Sequence, residues 1–154
     1  MKHLDRVELN DFMFNVKLVT IDQEKQLAFD VRMKVFVEEQ GIPQHLEIDE
    51  FDDKAAHFIV QDGEQTIAAA RLREISPGVG KVERVCVLQQ YRGKRLGVFI
   101  MEHIEQYAVA NGLKKLKLHA QSHATPFYEK LGYVVTSPEF LDAYIPHRAM
   151  EKQI

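Results

Sequence analysis

The run Val82-Glu83-Arg84-Val85-Cys86-Val87, continued by Gln90-Tyr91-Arg92-Gly93-Lys94-Arg95-Leu96-Gly97, constrains the fold more than any other stretch of this chain. Its alternating β-branched residues read as a strand. A turn rich in Gly and Arg follows, and then Leu96, Phe99, Ile100, Ile104 and Tyr107 recur at helical spacing. A strand that passes through a glycine turn into a helix points free backbone N–H groups at an anion. Arg92 and Arg95 add positive charge at the same place. The turn therefore predicts a phosphate cradle. A Walker A loop is excluded, because Gly78-Val79-Gly80-Lys81 is followed by Val82 and not by a hydroxyl residue that could hold a metal. A dinucleotide fingerprint is excluded as well, since Gly93 and Gly97 do not supply its three glycines.

The rest of the chain gives the cradle its surroundings. Phe14–Val19 alternates as a first strand. Asp22 is placed to cap a helix from about Gln23 to Glu39, with Leu27, Val31, Val35 and Phe36 on one face. Gly41-Ile42-Pro43 breaks it, and an acidic loop runs from Glu47 to Asp53. His57–Val60 and Thr66–Leu72 form a hairpin across Asp62-Gly63. After the strand at Lys81–Leu88 and the helix from Leu96, Asn111-Gly112 gives a left-handed stop. A strand at Leu113–His119, a short helix at Thr125–Leu131 and a last strand near Arg148–Gln153 follow. The order predicts one α/β (α+β) domain with a single mixed, mostly antiparallel sheet flanked by helices. Residues 1–12 read as a polar lead-in, and 13–154 as the domain.

Composition narrows the function. The chain carries 20 Lys and Arg against 23 Asp and Glu, a formal charge of −3, which argues against a general nucleic-acid binder. No run approaches the roughly 18 apolar residues of a membrane span, and Met1–Arg6 lacks the apolar centre of a secretory signal. Cys86, the single cysteine, has no partner for an internal disulfide. These features predict a cytoplasmic protein. His119 and His123 have metal-like spacing but no third ligand near them in sequence, so no metal is expected.

Arg92 through Gly97 resembles the Arg/Gln-x-x-Gly-x-Gly/Ala pyrophosphate loop of the GCN5-related N-acetyltransferases, the GNAT family. The middle glycine is Arg95 here. A Cβ at that position favours negative φ, so the loop is expected to close without a left-handed residue there. Ala124 with Thr125-Pro126-Phe127-Tyr128-Glu129-Lys130-Leu131-Gly132-Tyr133 resembles the Ala-x-x-Phe-Tyr-x-Lys-x-Gly-Phe segment that completes the family's coenzyme site. Val35–Pro43, with Glu47, Asp49 and His57, is similar to an uncharacterised bacterial branch whose members end in Gly-Ile-Pro-His. This chain has Tyr144-Ile145-Pro146-His147, and Tyr144 is expected to narrow the acceptor pocket if that position lines it.

The resemblance implies the acyl-CoA N-acyltransferase fold, acetyl-CoA as donor, a small-molecule amine as acceptor, and room for a homodimer. It places pyrophosphate on Arg92, Gly93, Lys94, Arg95, Leu96 and Gly97, pantetheine on the backbone of Val85, Cys86 and Val87, and further donor contacts on Gln121 and Tyr128. Tyr128 is expected to protonate the departing sulfur. Glu83 is a candidate base for the amine, although it shares side-chain parity with Val85 and Val87 and can equally sit in a salt bridge; His147 and water remain alternatives. The acids Glu47, Asp49, Glu50, Asp52 and Asp53 form either a solvated face or an attractor for a cationic amine. Two other readings stay open: an acyl-CoA sensor without turnover, and a Cys86 hydrolase.

Overall fold

The computed structural model describes residues 6–9 and 12–154. Strands β1 (Arg6–Leu9) and β2 (Phe12–Leu18) pair antiparallel, so part of the lead-in joins the sheet as an edge strand. Helix α1 (Asp22–Arg32) follows and passes into a π-helix over Met33–Glu39. The predicted single helix is thus two segments, and the wider turn falls beside the functional cleft, where π-turns often occur. Asp22 does not cap α1. It is the first helical residue, and the Glu24 carboxylate accepts from the Thr20 N–H instead, at 2.9 Å.

A short helix α2 (Gln44–Glu47) precedes the hairpin of β3 (Ala56–Asp62) and β4 (Gln65–Ser76), which turns at left-handed Gly63 as expected. Strand β5 (Val79–Val87), helix α3 (Leu96–Ala110) and strand β6 (Lys115–Gln121) make the strand–turn–helix unit and its return. Gly112 ends α3 in a left-handed conformation, with the Leu113 N–H donating to the Ala108 carbonyl at 3.0 Å. Helix α4 (Thr125–Lys130) leads to strands β7 (Val134–Val135), β8 (Phe140–Asp142) and β9 (Ile145–Gln153).

The strands form one sheet in the order β1-β2-β3-β4-β5-β6-β9-β7, with β8 also on β9. Every pair is antiparallel except β5 with β6, which meets the expectation of a mixed, mostly antiparallel sheet. Helices cover both faces. His57 and Phe58 are neighbours on β3 and therefore point to opposite sides. His57 meets Phe29 of α1, with ring centres 5.9 Å apart, and Phe58 meets Tyr107 of α3 at 5.3 Å. The core lies on each side of β3 and β4, where Phe58 through Val60 and Ile67 through Ala70 are buried.

The β8–β9 hairpin turns through Ala143 (φ 50°) and Tyr144 (φ 67°) between paired Asp142 and Ile145. A two-residue turn with both φ positive prefers Asn and Gly, so a Cβ at each position stores strain. Tyr144 is 80% exposed. It is absent from the lining of the cavity that its neighbours Asp142 and Ala143 bound. Tyr144→Gly is expected to raise the unfolding free energy by about 0.5–1 kcal/mol in denaturant titration, since strain is relieved and little contact is lost. A fall in stability would show that the tyrosine ring packs in solution.

Candidate active site

Strands β5 and β6 pair only from Val79 with Lys115 to Val82 with Leu118. Beyond that point they diverge. The cause is a bulge in β5: Arg71 of β4 opposes Glu83 and Ala69 opposes Cys86, so β5 carries one residue too many, and Arg84 takes φ 60°. A bulge bends and twists its strand. It also breaks the side-chain alternation. Glu83 shares a face with Cys86, not with Val85 and Val87 as unbroken parity predicts.

The divergence opens a cleft lined by Val85, Cys86 and Val87 on one wall and by Leu118, Ala120 and Gln121 on the other, with Tyr128 and His147 also facing it. Its volume is about 370 Å³. The phosphate-cradle turn closes one end. Gly93 (φ 81°) and Arg95 (φ 63°) are both left-handed, so the expectation of negative φ at Arg95 is wrong. Arg95 holds the position a glycine would occupy at a cost of about 1–2 kcal/mol. It sits immediately before α3, whose first N–H groups have no acceptor within the helix. Gly97 is needed for close packing: a Cβ there would lie 2.9 Å from the Phe127 ring of α4.

Arg92 lines the cleft, but its guanidinium is occupied. It donates to both Glu39 oxygens at 2.5 and 2.7 Å and to the Val87 carbonyl at 3.0 Å. The next residue, Gln40, bonds Gln121 at the end of β6 at 2.9 Å. The end of the π-helix thus straps both walls of the cleft together. A phosphate group must compete with the Glu39 carboxylate for Arg92. Glu39→Gln is expected to tighten acyl-CoA binding about two- to fivefold by calorimetry, the range for a partly exposed ion pair. Weaker binding would make the strap, and not the competition, the dominant effect.

Tyr128 is buried, its ring edge-on to Phe127 and Tyr133 at 4.9 and 5.9 Å. No hydrogen bond ties its hydroxyl among the described residues, and burial raises its pKa above the ordinary phenol value. It keeps its proton through neutral pH. Cys86 is buried, and burial pushes its thiol up to about 12. A nucleophile needs the thiolate, so burial of Cys86 argues against the hydrolase reading. We expect the folded protein to resist thiol-directed alkylation, one thiol to react on unfolding, and Cys86→Ala to retain turnover. Rapid native alkylation would contradict the burial.

Glu83 is held by three cations: Arg71 at 3.0 Å, Arg73 at 2.7 Å and Lys81 at 3.3 Å. These offset its desolvation and lower its pKa to about 2, which leaves little affinity for a proton. His147 has a different setting. Its Nδ1 lies 2.7 Å from the Ile145 carbonyl, a contact that places the proton on Nδ1 and leaves the Nε2 lone pair to accept in the neutral ring. His147 also lines a second cavity of about 370 Å³, bounded by Ile42–Phe51, β4, β5 and the β8–β9 turn. Phe36, Gln121 and His147 form the wall common to both cavities.

Sequence reasoning missed the two arginines that hold the loop bounding this second cavity. Arg32 and Arg71 are each 1% exposed. Arg32 binds Glu47 at 2.6 Å and Asp52 at 2.7 Å, and Arg71 binds Asp49 at 2.7 Å and Asp52 at 2.8 Å. Three of the five loop acids are thus internal partners, neither a solvated face nor a free attractor for an amine. Only Glu50 and Asp53 stay exposed, and Asp53 pairs with Lys25. The signal was present: Arg71 interrupts the apolar run from Ile67 to Leu72, and Arg32 falls on the buried side of α1.

Residues 20–154 match the profile of a family described as an acetyltransferase (GNAT) domain. An uncharacterised N-acetyltransferase of Bacillus subtilis, YjcF, is 45% identical over 140 residues, which span 89% of this chain and 99% of YjcF. A crystal structure of an N-acetyltransferase from Lactobacillus plantarum is similar with a TM-score of 0.86 at 28% identity, over 91% of this chain and 97% of that one. An acyl-CoA N-acyltransferase from Pseudomonas aeruginosa is similar at 0.79 and 28%, over 90% and 97%. Among the described residues no helix is long and apolar enough to cross a membrane.

Proposed function

The chain belongs to the GNAT acetyltransferase family, and from that premise we propose that it transfers an acetyl group from acetyl-CoA to a primary amine by direct attack in a ternary complex. The family uses acyl-CoA donors, and the residues here suit one. The observation that carries the reading is the divergence of β5 from β6 after Val82, with the untied Tyr128 hydroxyl on the cleft it opens.

The turn from Arg92 to Gly97 takes the pyrophosphate through backbone N–H groups, and Arg92 contributes when Glu39 yields it. The unpaired edge of β5 at Val85–Val87 takes the pantetheine arm as an added strand would. Gln121 lies across the cleft and fixes its width through Gln40. The acceptor comes from the second cavity, past Phe36 and His147. A backbone N–H near the bulge at Val85 faces the developing oxyanion, a contact worth about 2.7–4 kcal/mol where such donors have been removed.

Two steps move protons. The amine must lose one before it attacks. We assign that step to His147 Nε2, because Glu83 is committed to three cations; Glu83 instead holds Arg73 and Lys81 in place. The sulfur must gain a proton as the C–S bond breaks, and Tyr128 supplies it. The test is thiol release from acetyl-CoA by the purified protein across a panel of primary amines. Release that requires both protein and amine supports the transfer. Acetyl-CoA binding without release for any amine would favour a donor-binding module, and absence of binding would overturn the donor assignment.

A further inference from the structure

The second cavity is lined by three cations, Arg73, Lys81 and Arg84, and by the carboxylates of Glu47, Asp49, Glu83 and Asp142. Behind that lining, Arg32, Arg71 and Asp52 join all of these but Asp142 in one continuous set of ion pairs. Within the set five cations share four carboxylates. His57 does not add to the sum, because burial lowers its pKa and keeps it neutral. The surplus sits at one end. Arg32, Arg71 and Arg84 are each matched to two or more carboxylates, whereas Arg73 and Lys81 have Glu83 alone and share it with Arg71. Arg73 is stacked on Phe51, its guanidinium carbon 3.8 Å from the ring centre, so it is fixed in place. The side chains of Arg73 and Lys81 are 20% and 19% exposed, and both line the cavity. On the opposite rim the Asp142 carboxylate, from the β8–β9 hairpin, is exposed and makes no ion pair or hydrogen bond with any described residue.

Resting on the acyl-transfer reading above, we infer that the acceptor carries an anionic group besides its amine, and that Arg73 and Lys81 bind that group while the amine points to His147 and the donor cleft. The cavity is then a site for amino acids or other amino compounds bearing a carboxylate or phosphate. A polyamine or polycationic amino sugar would bring further positive charge to the end held by Arg73 and Lys81 and would leave those two cations without an anion. A partly enclosed cation with spare N–H donors gains from a charge-assisted bond what it lacks internally. Asp142 complements the ammonium end of such a zwitterion as it enters.

The test is calorimetric binding to the protein saturated with coenzyme A, using size-matched pairs: β-alanine with ethylamine, 4-aminobutyrate with propylamine, phenylalanine with phenethylamine, and O-phosphoethanolamine as the phosphate arm. At least one acid is expected to bind about tenfold to a hundredfold more tightly than its partner amine, the range of one charged hydrogen-bonded contact. Carboxylate and phosphate arms distinguish the two anions. Arg73→Gln and Lys81→Gln are each expected to lower the acid's affinity toward that of the amine. Lys81→Gln removes a single partly exposed ion pair, so it tests the claim even if Arg73→Gln does not fold. Amines that bind as well as every acid, a preference that survives both substitutions, or no binding by any acid would overturn the anionic subsite. Acetyl transfer to simple amines in the same preparations would then leave the transferase reading standing alone.

Discussion

Arg71→Met is expected to lower the unfolding free energy by about 3–5 kcal/mol, because it takes from a buried cluster the one cation shared by Asp49, Asp52 and Glu83. For a chain of this size that corresponds to a fall of about 6–20 °C in melting temperature. Arg71 is 1% exposed and reaches Asp49, Asp52 and Glu83, which come from the loop after α2 and from β5. Arg71 ties Asp49 and Asp52 to β4, and Asp49 keeps Arg84 of β5 as a second partner. Asp52 also bonds Arg32, so its loss of Arg71 is partial, whereas Glu83 keeps Arg73 and Lys81. The loop should therefore loosen before the strand does, and acceptor binding should weaken more than donor binding. Acid gives an independent check. The folded-state pKa of Glu83 lies at about 2, and those of Asp49 and Asp52 lie below the ordinary aspartate value. Carboxylates depressed in the fold contribute stability above their unfolded values of about 4, and that stability is lost as the pH falls through the folded values. Glu47 runs the other way, since burial pushes it up despite Arg32 and Arg84. Three depressed groups outweigh one raised group, so the wild type should lose stability steeply between about pH 4.5 and 2. Arg71→Met should flatten that limb. A loss below about 1 kcal/mol, or an unchanged acid limb, would mean that Arg32, Arg73 and Lys81 suffice for the cluster.

Local pattern fixes local structure, and here it did so well. The strand at Lys81–Leu88, the stop at Asn111-Gly112 and the turn at Asp62-Gly63 each depend on a few adjacent residues, and each stands in the structure within a residue or two of where it was expected. The strand–turn–helix unit was legible for the same reason: its turn and helix start are contiguous in sequence. The second cavity was not. It is assembled from the loop at Ile42–Phe51, the bulge at Arg84 and the turn at Ala143, which are distant in sequence. A single extra residue in β5 inverted the parity argument for Glu83, and no local signal marks a bulge at an arginine. Arg95 misled in a related way. Its Cβ makes φ 63° costly but not forbidden, and the packing of α3 beside Phe127 holds the turn in that shape. The acidic loop read as a solvated face because its partners, Arg32 and Arg71, lie on other elements, and charge counting along the chain cannot pair them.

Tyr128→Phe is expected to reduce kcat by about a hundredfold while changing acetyl-CoA affinity by less than about twofold. The substitution keeps the ring against Phe127 and Tyr133 and removes only the hydroxyl. That hydroxyl has no protein partner to strand, so the loss reports on the reaction and not on a broken hydrogen bond. The magnitude lies at the low end for general acids because a thiol of ordinary pKa, about 8.5, is already a tolerable leaving group. The benefit of protonation comes from the surroundings: a thiolate forming in the cleft faces the apolar walls of Val85, Val87 and Phe127 and is poorly solvated there. pH sharpens the test. An acid must be protonated to act, and burial raises the Tyr128 phenol above its usual value, so it should impose no alkaline decline below about pH 10. If kcat falls below that pH, the decline belongs to another group and should survive in Tyr128→Phe. The base is a separate group acting on a different atom, so His147→Gln should lower kcat by its own factor in the wild type and in Tyr128→Phe alike. Equal losses of donor affinity and kcat in Tyr128→Phe would make the residue part of the donor's packing, and the sulfur would then leave as a thiolate held by the backbone of β5.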